Sequence, residues 1–279
     1  MSIKIITDST CDLPPSVIAQ YDITVIPLYI NIGTQGYRDG IDLSRQDFYE
    51  QLLYDDPHPT TAAPSPEVLR QKYEQLAEQG ATEILSIHIS SSLSATANVA
   101  RLAARETTSV PVTVFDSKQL SLGTGFLVQT AAKAVAEGHS MQDILPLLNE
   151  QISRTHIFAI LDTLEFLCRS GRMNTMVAGL ASWFKIKALL KMYDGQATSE
   201  RIRTRKRATQ RLITLLRNVS PLEKVALLHA NAPDKAETLR QQVQDLLPEQ
   251  EILSVNITPV IGAHVGPGTV GLACISCAT

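Results

Sequence analysis

The sequence predicts an α/β chain of two domains. The N-terminal domain is built on a parallel sheet with helices on both faces. The C-terminal domain is α+β with a mostly antiparallel sheet. Three observations carry this. Apolar β-branched runs and helical patterns alternate from Ile3 to about Gly125, the rhythm of parallel strand–helix units. From about Ser153 the rhythm changes, and strands follow one another across short turns such as Asp194-Gly195. The length of 279 residues exceeds what one hydrophobic core ordinarily serves. The expected division is 1–152, with a small excursion at about 22–60, and 153–279.

Composition removes several function classes. A net charge of −3 with 19% charged residues gives no overall attraction for nucleic acid. No run of apolar residues is long enough to span a bilayer, and Asp8 interrupts the start too early for a secretory signal. No integral membrane segment is expected, and the expected location is the cytoplasm. Cys274 and Cys277 have C-x-x-C spacing, but they lie in an apolar C-terminal run with no second pair to complete a metal site. With Cys11 and Cys168 they read as buried or spectator thiols, and no metal or cofactor is expected.

Taken in order, Ile3 to Ile6 is a buried strand ending at Asp8-Ser9-Thr10-Cys11-Asp12, and Pro15 opens a helix to about Tyr21. Asp8 and Asp12 read as acceptors for turn and helix-start N–H groups rather than as a metal pair. Ile23 to Ile30 is an apolar run broken by Pro27, hence an edge strand or extended segment, and Asn31 to Asp42 is a hairpin-like excursion. Ser44 caps a helix from Arg45 to about Tyr54. Pro57 to Pro66 reads as a stiff, extended loop displaying Thr60, Thr61 and Ser65, with Ser65 capping a helix that Gly80 ends. Ile84 to Ile89 is a strand, and after it Ser90-Ser91-Ser92-Leu93-Ser94 opens a helix over about 95–104. Val110 to Phe115 is the next strand. Ser121 to Gly125 then opens an apolar helix from about Phe126, whose glycines suit close packing and lack a dinucleotide or Walker pattern.

The second half reads as strands at 156–161, 186–193, 197–203, 224–229, 252–257 and 270–276. Helices are expected at 164–168, around Trp183 (177–184), at 204–216 and at 233–247. Arg169-Ser170-Gly171-Arg172 is a basic turn. Arg201, Arg203, Arg205, Lys206, Arg207 and Arg211 put six cations into eleven residues, a solvated face or a docking surface for an acidic protein or phosphate. Residues 252–279 contain no Asp, Glu, Lys or Arg, and His264 sits there between glycines at Gly262 and Gly266. A histidine on such a loop is placed either to complete a core or to meet a ligand. The hydroxyls of 90–96 carry a similar choice between helix capping and an anionic ligand head.

The chain resembles the DegV family over nearly its whole length. The resemblance is carried by Asp8-Ser9-Thr10-Cys11-Asp12-Leu13, Tyr37 to Asp42, Pro59 to Pro66 and Ile89 to Thr96. It continues through Leu164 to Met173, Ile186 to Leu190, Arg203 to Lys206 and Gly262 to Gly268. Differences stand at Ala62 and Ala63, where the family usually has Ser-Gln, and at Ala95 and Ala188. The resemblance implies a Rossmann-like (DegV-type) N-terminal domain, an α+β C-terminal domain and a ligand tunnel between them. It implies the non-catalytic fatty-acid-binding (FakB-type) subunit of a bacterial fatty acid kinase. One long-chain acid such as palmitate, stearate or oleate lies in the tunnel, and a separate ATP-dependent kinase phosphorylates its carboxylate. Contact with a membrane would be transient. Carried over position by position, the carboxylate falls to Thr61, Ser94 and His264, with Ser92, Thr96, Ser65 and Gly266 in support. Arg169, Arg172, Arg201, Arg203 and Arg205 become candidates for docking the kinase.

The physical reading is compatible. A buried carboxylate must be hydrogen-bonded or paired. A protonated His264 would supply a charge-assisted bond. Two alternatives remain from the residues alone: a hydrolase using a serine and His264, although no G-x-S-x-G elbow is present, and a phospho-ligand domain using Gly123-Thr124-Gly125 or Gly266-Pro267-Gly268.

Overall fold

The structure is a computed structural model that describes residues 2–54, 57–172, 187–249 and 251–278. The chain begins with β1 (Ile3–Asp8), a 3-10 turn at Ser9–Cys11 and α1 (Pro15–Gln20). Then come β2 (Thr24–Ile26), β3 (Tyr29–Ile32), β4 (Gln35–Arg38) and α2 (Arg45–Gln51). β5 (Thr60–Ala62), α3 (Pro66–Glu78), β6 (Glu83–His88), α4 (Thr96–Glu106), β7 (Val112–Asp116), α5 (Ser121–Ala136) and α6 (Met141–Arg154) complete the first half. The second half runs β8 (Thr155–Leu161), α7 (Glu165–Arg169), β9 (Lys187–Tyr193), β10 (Gln196–Ile202), α8 (Arg205–Asn218), β11 (Leu222–His229) and α9 (Pro233–Val243). It closes with β12 (Leu253–Asn256), α10 (Pro259–Val265) and β13 (Val270–Ser276).

β2-β1-β6-β7 form a four-stranded sheet in which every pairing is parallel. β10-β9-β8-β13-β11-β12 form a six-stranded sheet, antiparallel except for β11 with β12. The α/β fold with a parallel sheet and a separate mostly antiparallel sheet is therefore as the sequence predicts. A third sheet, β4-β3-β5, is the excursion. Its third strand corrects the reading of Pro57 to Pro66 as a loop, because Thr60–Ala62 pairs with β3 through Ile30↔Thr61. Three residues between prolines are too few to show a strand period, so only the partner reveals it.

Two helices also depart from expectation. α5 starts at Ser121, five positions earlier than read, so Gly123 and Gly125 lie inside it. A Cβ at Gly125 would collide with the Cys11 carbonyl, which confirms the close-packing reading and removes the phosphate-loop one. α6 went unread, although Ser140 and Asp143 form a full capping box at its start. The expected helix around Trp183 and the start of the strand at Ile186 lie outside the described residues.

α5 is apolar all round because it touches strands of both large sheets. Leu85 and Ile87 of β6, Leu122 and Phe126 of α5, Ile157 of β8, Leu228 of β11 and Ile261 of α10 belong to one continuous core. Truncating Phe126 to alanine there should cost about 3–5 kcal/mol.

A candidate ligand-binding site between the sheets

Three segments meet where β6 ends. The first is β5, whose pairing with β3 fixes Thr61. The second is the turn after β6. Ser90 receives the N–H groups of Leu93 and Ser94 on its carbonyl, at 3.0 and 3.1 Å, while its own N–H bonds Gln119 O at 2.8 Å. That closes the turn tightly and presents Ser94 at the mouth of α4. The third is α10, which Pro259 opens and Gly266 ends at φ +75°. His264 therefore lies in the last turn of a short helix, which corrects the loop assigned to it. Four apolar residues among seven hid a helical period too short to register.

Thr61, Ser94, His264 and Arg172 line one cavity of about 210 Å³, together with Ala62, Ala63 and Ala95. Thr61 Oγ1 and His264 Nε2 are 2.9 Å apart. Ser94 Oγ pairs with Thr96 Oγ1 at 2.8 Å and accepts the Thr96 N–H at 3.3 Å. His264 Nδ1 is buried with no hydrogen-bond partner among the described residues. Burial, then the positive charge of Arg172, then His58, push His264 down to about 4. The imidazole is neutral at physiological pH, which corrects the expected cationic His264. Among the described lining residues the cation is Arg172, which the sequence reading had offered as a docking candidate. A neutral imidazole bonded to a hydroxyl leaves the pair one hydrogen to give: if Nε2–H donates to Thr61, the threonine O–H remains available.

The pocket abuts an apolar cavity of about 50 Å³ against the face of the six-stranded sheet, lined by Ile157, Met192, Leu228 and Gly271 among others. Leu120, Ile261 and Val265 line both spaces. A cavity that takes up benzene measures roughly 150 Å³, so these walls must part to admit a long apolar chain.

The supporting residues fall elsewhere. Ser65 caps α3 through the Val68 N–H, at 3.3 Å. Ser92 is exposed and bonds Ser90, and α4 has Ala95 at its N-cap with no side-chain cap, so the capping expected of these serines is not made, although Ser94 Oγ accepts the Thr96 N–H. Thr96 is buried behind Ser94, and Gly266 packs on Phe166, whose ring a Cβ at 266 would strike. Of the docking arginines, Arg205 is held by Asp162 at 2.9 Å and Arg169 lies 3.4 Å from Glu165, while Arg201 and Arg203 are exposed. The sequence reading missed His58, whose Nε2 lies 2.9 Å from Ala263 O and whose ring tilts against Phe166. It stands three residues before Thr61, and nothing local marked it.

A parallel sheet facing a mixed sheet, with a polar pocket where the parallel strands end, defines a two-sheet α/β protein with its site at the strand ends. The chain belongs to the DegV family: the family model described as "Uncharacterised protein, DegV family" matches residues 2–276. It is 36% identical over 278 residues to a DegV domain-containing protein of Deinococcus radiodurans, covering 98% of each chain. Its structure is similar to that of DegV, a fatty acid binding protein from Bacillus subtilis (TM-score 0.89, 31% identity, 99% of this chain and 100% of that one). It is likewise similar to a Thermus thermophilus DegV family protein described by its fatty acid binding (TM-score 0.87, 31% identity, 99% and 100%). Among the described residues no helix is long and apolar enough to cross a membrane.

Proposed function

We propose that this chain holds one long-chain fatty acid and presents its carboxylate to a separate ATP-dependent fatty acid kinase for acyl-phosphate formation. The observation that carries the reading is the adjacency of the two cavities. One carries the polar groups of Thr61, Ser94, His264 and Arg172 on an otherwise apolar lining, and the other is apolar, divided from it by side chains common to both walls. That arrangement suits an amphiphile with one anionic end. The relatives of known structure described as fatty acid binding proteins support it.

In this reading the carboxylate accepts from the Thr61 and Ser94 hydroxyls and pairs with Arg172. His264 orients the Thr61 proton. Burial of a sixteen-carbon tail supplies on the order of 10 kcal/mol, so the tail sets affinity and the polar pocket sets direction. The two sheets act as two domains, divided at about 152/153, that part to take up the tail. Arg203, with Arg201, Arg169 and Arg205, offers the kinase a basic face, and the work belongs in the cytoplasm, where ATP is available.

The hydrolase alternative has no observation in its favour. His264 bonds Thr61 rather than Ser94, and no described carboxylate bonds its Nδ1. A phosphonate that labels Ser94 stoichiometrically would reinstate it. The carrier reading is tested by native mass spectrometry of the purified chain followed by lipid extraction. One fatty acid per chain is expected. Purification without lipid, combined with no uptake of palmitate, stearate or oleate, would refute it.

A further inference from the structure

The serine turn of the pocket is held from behind by a carboxylate that does not line the pocket. Asp8 ends β1 and is fully buried. The backbone ladder between β1 and β6 stops at Thr7↔Ile87. One step beyond it, Asp8 Oδ2 accepts the Ile89 N–H at 3.0 Å and lies 3.0 Å from His88 Nδ1. Oδ1 accepts the Thr10 N–H at 3.1 Å and the Thr10 hydroxyl. Burial pushes Asp8 up, but His88, Thr10 and Ile89 together bring it below its usual value, so it stays ionised at neutral pH. An ionised carboxylate only accepts, which makes His88 Nδ1 the donor.

A chain of buried groups aligns that imidazole. Ser86 Oγ stands 2.7 Å from His88 Nε2 and 2.8 Å from the Tyr73 hydroxyl on α3. Strand alternation turns Ser86 and His88 toward α3 and leaves Ile87 and Ile89 on the opposite face of β6. On that face Ile89 lines the pocket with Leu93 and Ser94. Asp8, His88 and Ser86 have the connectivity of a catalytic triad, but Ser86 is fully buried behind the sheet, where no substrate reaches it. What the arrangement can do is fix the point at which the chain leaves β6.

We infer that Asp8 is a positioning residue of the pocket, which acts through Ile89 to set the turn over 90–94 and hence the place of the Ser94 hydroxyl. The other ties on this exit come from the segment after β7. Ser117 N–H donates to His88 O at 3.0 Å, and Gln119 O accepts the Ser90 N–H. Without Asp8 the turn is tethered from that side alone. A carboxamide does not substitute, because its Nδ2 would face a donor.

The inference rests on the fatty-acid reading for its ligand arm, so the other arm needs no ligand. Hydrogen exchange of the ligand-free chain is followed for peptides covering 89–95 and 270–276. In Asp8→Asn, protection of 89–95 should fall about tenfold while that of 270–276 is kept. His88→Leu should lower protection of 89–95 in the same way, and His88→Asn, whose amide can still donate to Asp8, should keep most of it. Unchanged protection in Asp8→Asn, or an equal fall in both peptides, overturns the inference. Equal protection of 89–95 in His88→Leu and His88→Asn also overturns it, and this pair decides if Asp8→Asn does not fold. In the ligand arm, palmitate affinity is measured by titration calorimetry. Asp8→Asn should weaken binding about 2- to 10-fold, as Ser94→Ala does, but less than about twofold when Ser94 is already alanine. Equal weakening on both backgrounds overturns the action through Ser94. A wild-type chain that takes up no palmitate would count against the carrier reading, while the exchange arm still decides the positioning.

Discussion

The two ends of α10 make opposite use of charge. At its C-terminal end, His264 is held neutral beside an arginine and hydroxyls, so among its described lining residues the pocket has a cation and no anion. At its N-terminal end, Asp12 and Asp39 are both buried with one nearby arginine, Arg45, and both are pushed up. An anion deficit leaves room for a carboxylate from outside. An anion excess under burial makes an attachment that favours a bound proton and weakens as pH rises. A helix of seven residues joins the two, so what fixes one end sets the geometry of the other.

The comparison breaks most severely at the helix end itself. Gly266→Ala puts a side chain at φ +75° and against the Phe166 ring. A loss of about 2–4 kcal/mol is expected in denaturant unfolding. A loss below about 0.5 kcal/mol would mean that the packing of α10 on α7 is not what fixes this turn. Next comes the pocket's cation. Arg172→Gln should weaken fatty-acid binding about 10- to 100-fold by titration calorimetry, the worth of a hydrogen bond to a charged group. Unchanged affinity would remove Arg172 from the site.

Smaller effects separate the hydroxyls from the histidine. Ser94→Ala and His264→Gln should each reduce retention about 2- to 10-fold with circular dichroism unchanged. Because His264 is held near 4, the variant His264→Gln should keep the wild-type pH profile of release between pH 5 and 8. A profile altered by His264→Gln would mean that His264 itself titrates in that range.

The smallest effect concerns stability. Asp12 is raised, so the folded chain holds a proton between the usual carboxylate range and about pH 6 that the unfolded chain gives up. Its contribution is complete at low pH and is lost as pH rises through about 6. The wild type should therefore gain stability relative to Asp12→Asn between pH 7.5 and 5, read from paired thermal melts. A gap that is constant with pH would argue that Asp12 is ionised throughout. Separately, Arg203→Glu should slow phosphoryl transfer by a fatty acid kinase while leaving lipid binding unchanged. Equal transfer rates would take Arg203 off the docking face.

Much of this was legible in the sequence where structure is local. Ser44 and Ser65 cap the helices they were expected to cap, and the Asp194-Gly195 turn joins β9 to β10. The joining of Thr61 with His264 was not readable from spacing. They stand 203 positions apart, and only the family resemblance paired them before the fold did. β5 was hidden because a three-residue strand takes its identity from its partner. That Arg172 lines the pocket was hidden for a related reason. Its basic turn reads as surface, and only its position beside His264 makes it a pocket residue. The contact of Asp12 with Thr258 spans 246 positions, beyond any local signal.

The claim that a neutral, hydroxyl-lined pocket with Arg172 as its cation receives the ligand's carboxylate can be read directly from the carbon that carries the charge. Palmitate labelled with 13C at the carboxyl should give one protein-bound resonance at a one-to-one ratio. That resonance should stay in the carboxylate position from pH 8 to below 5, and should titrate at higher pH in Arg172→Gln. A bound carboxyl that titrates alike in both proteins would contradict the account.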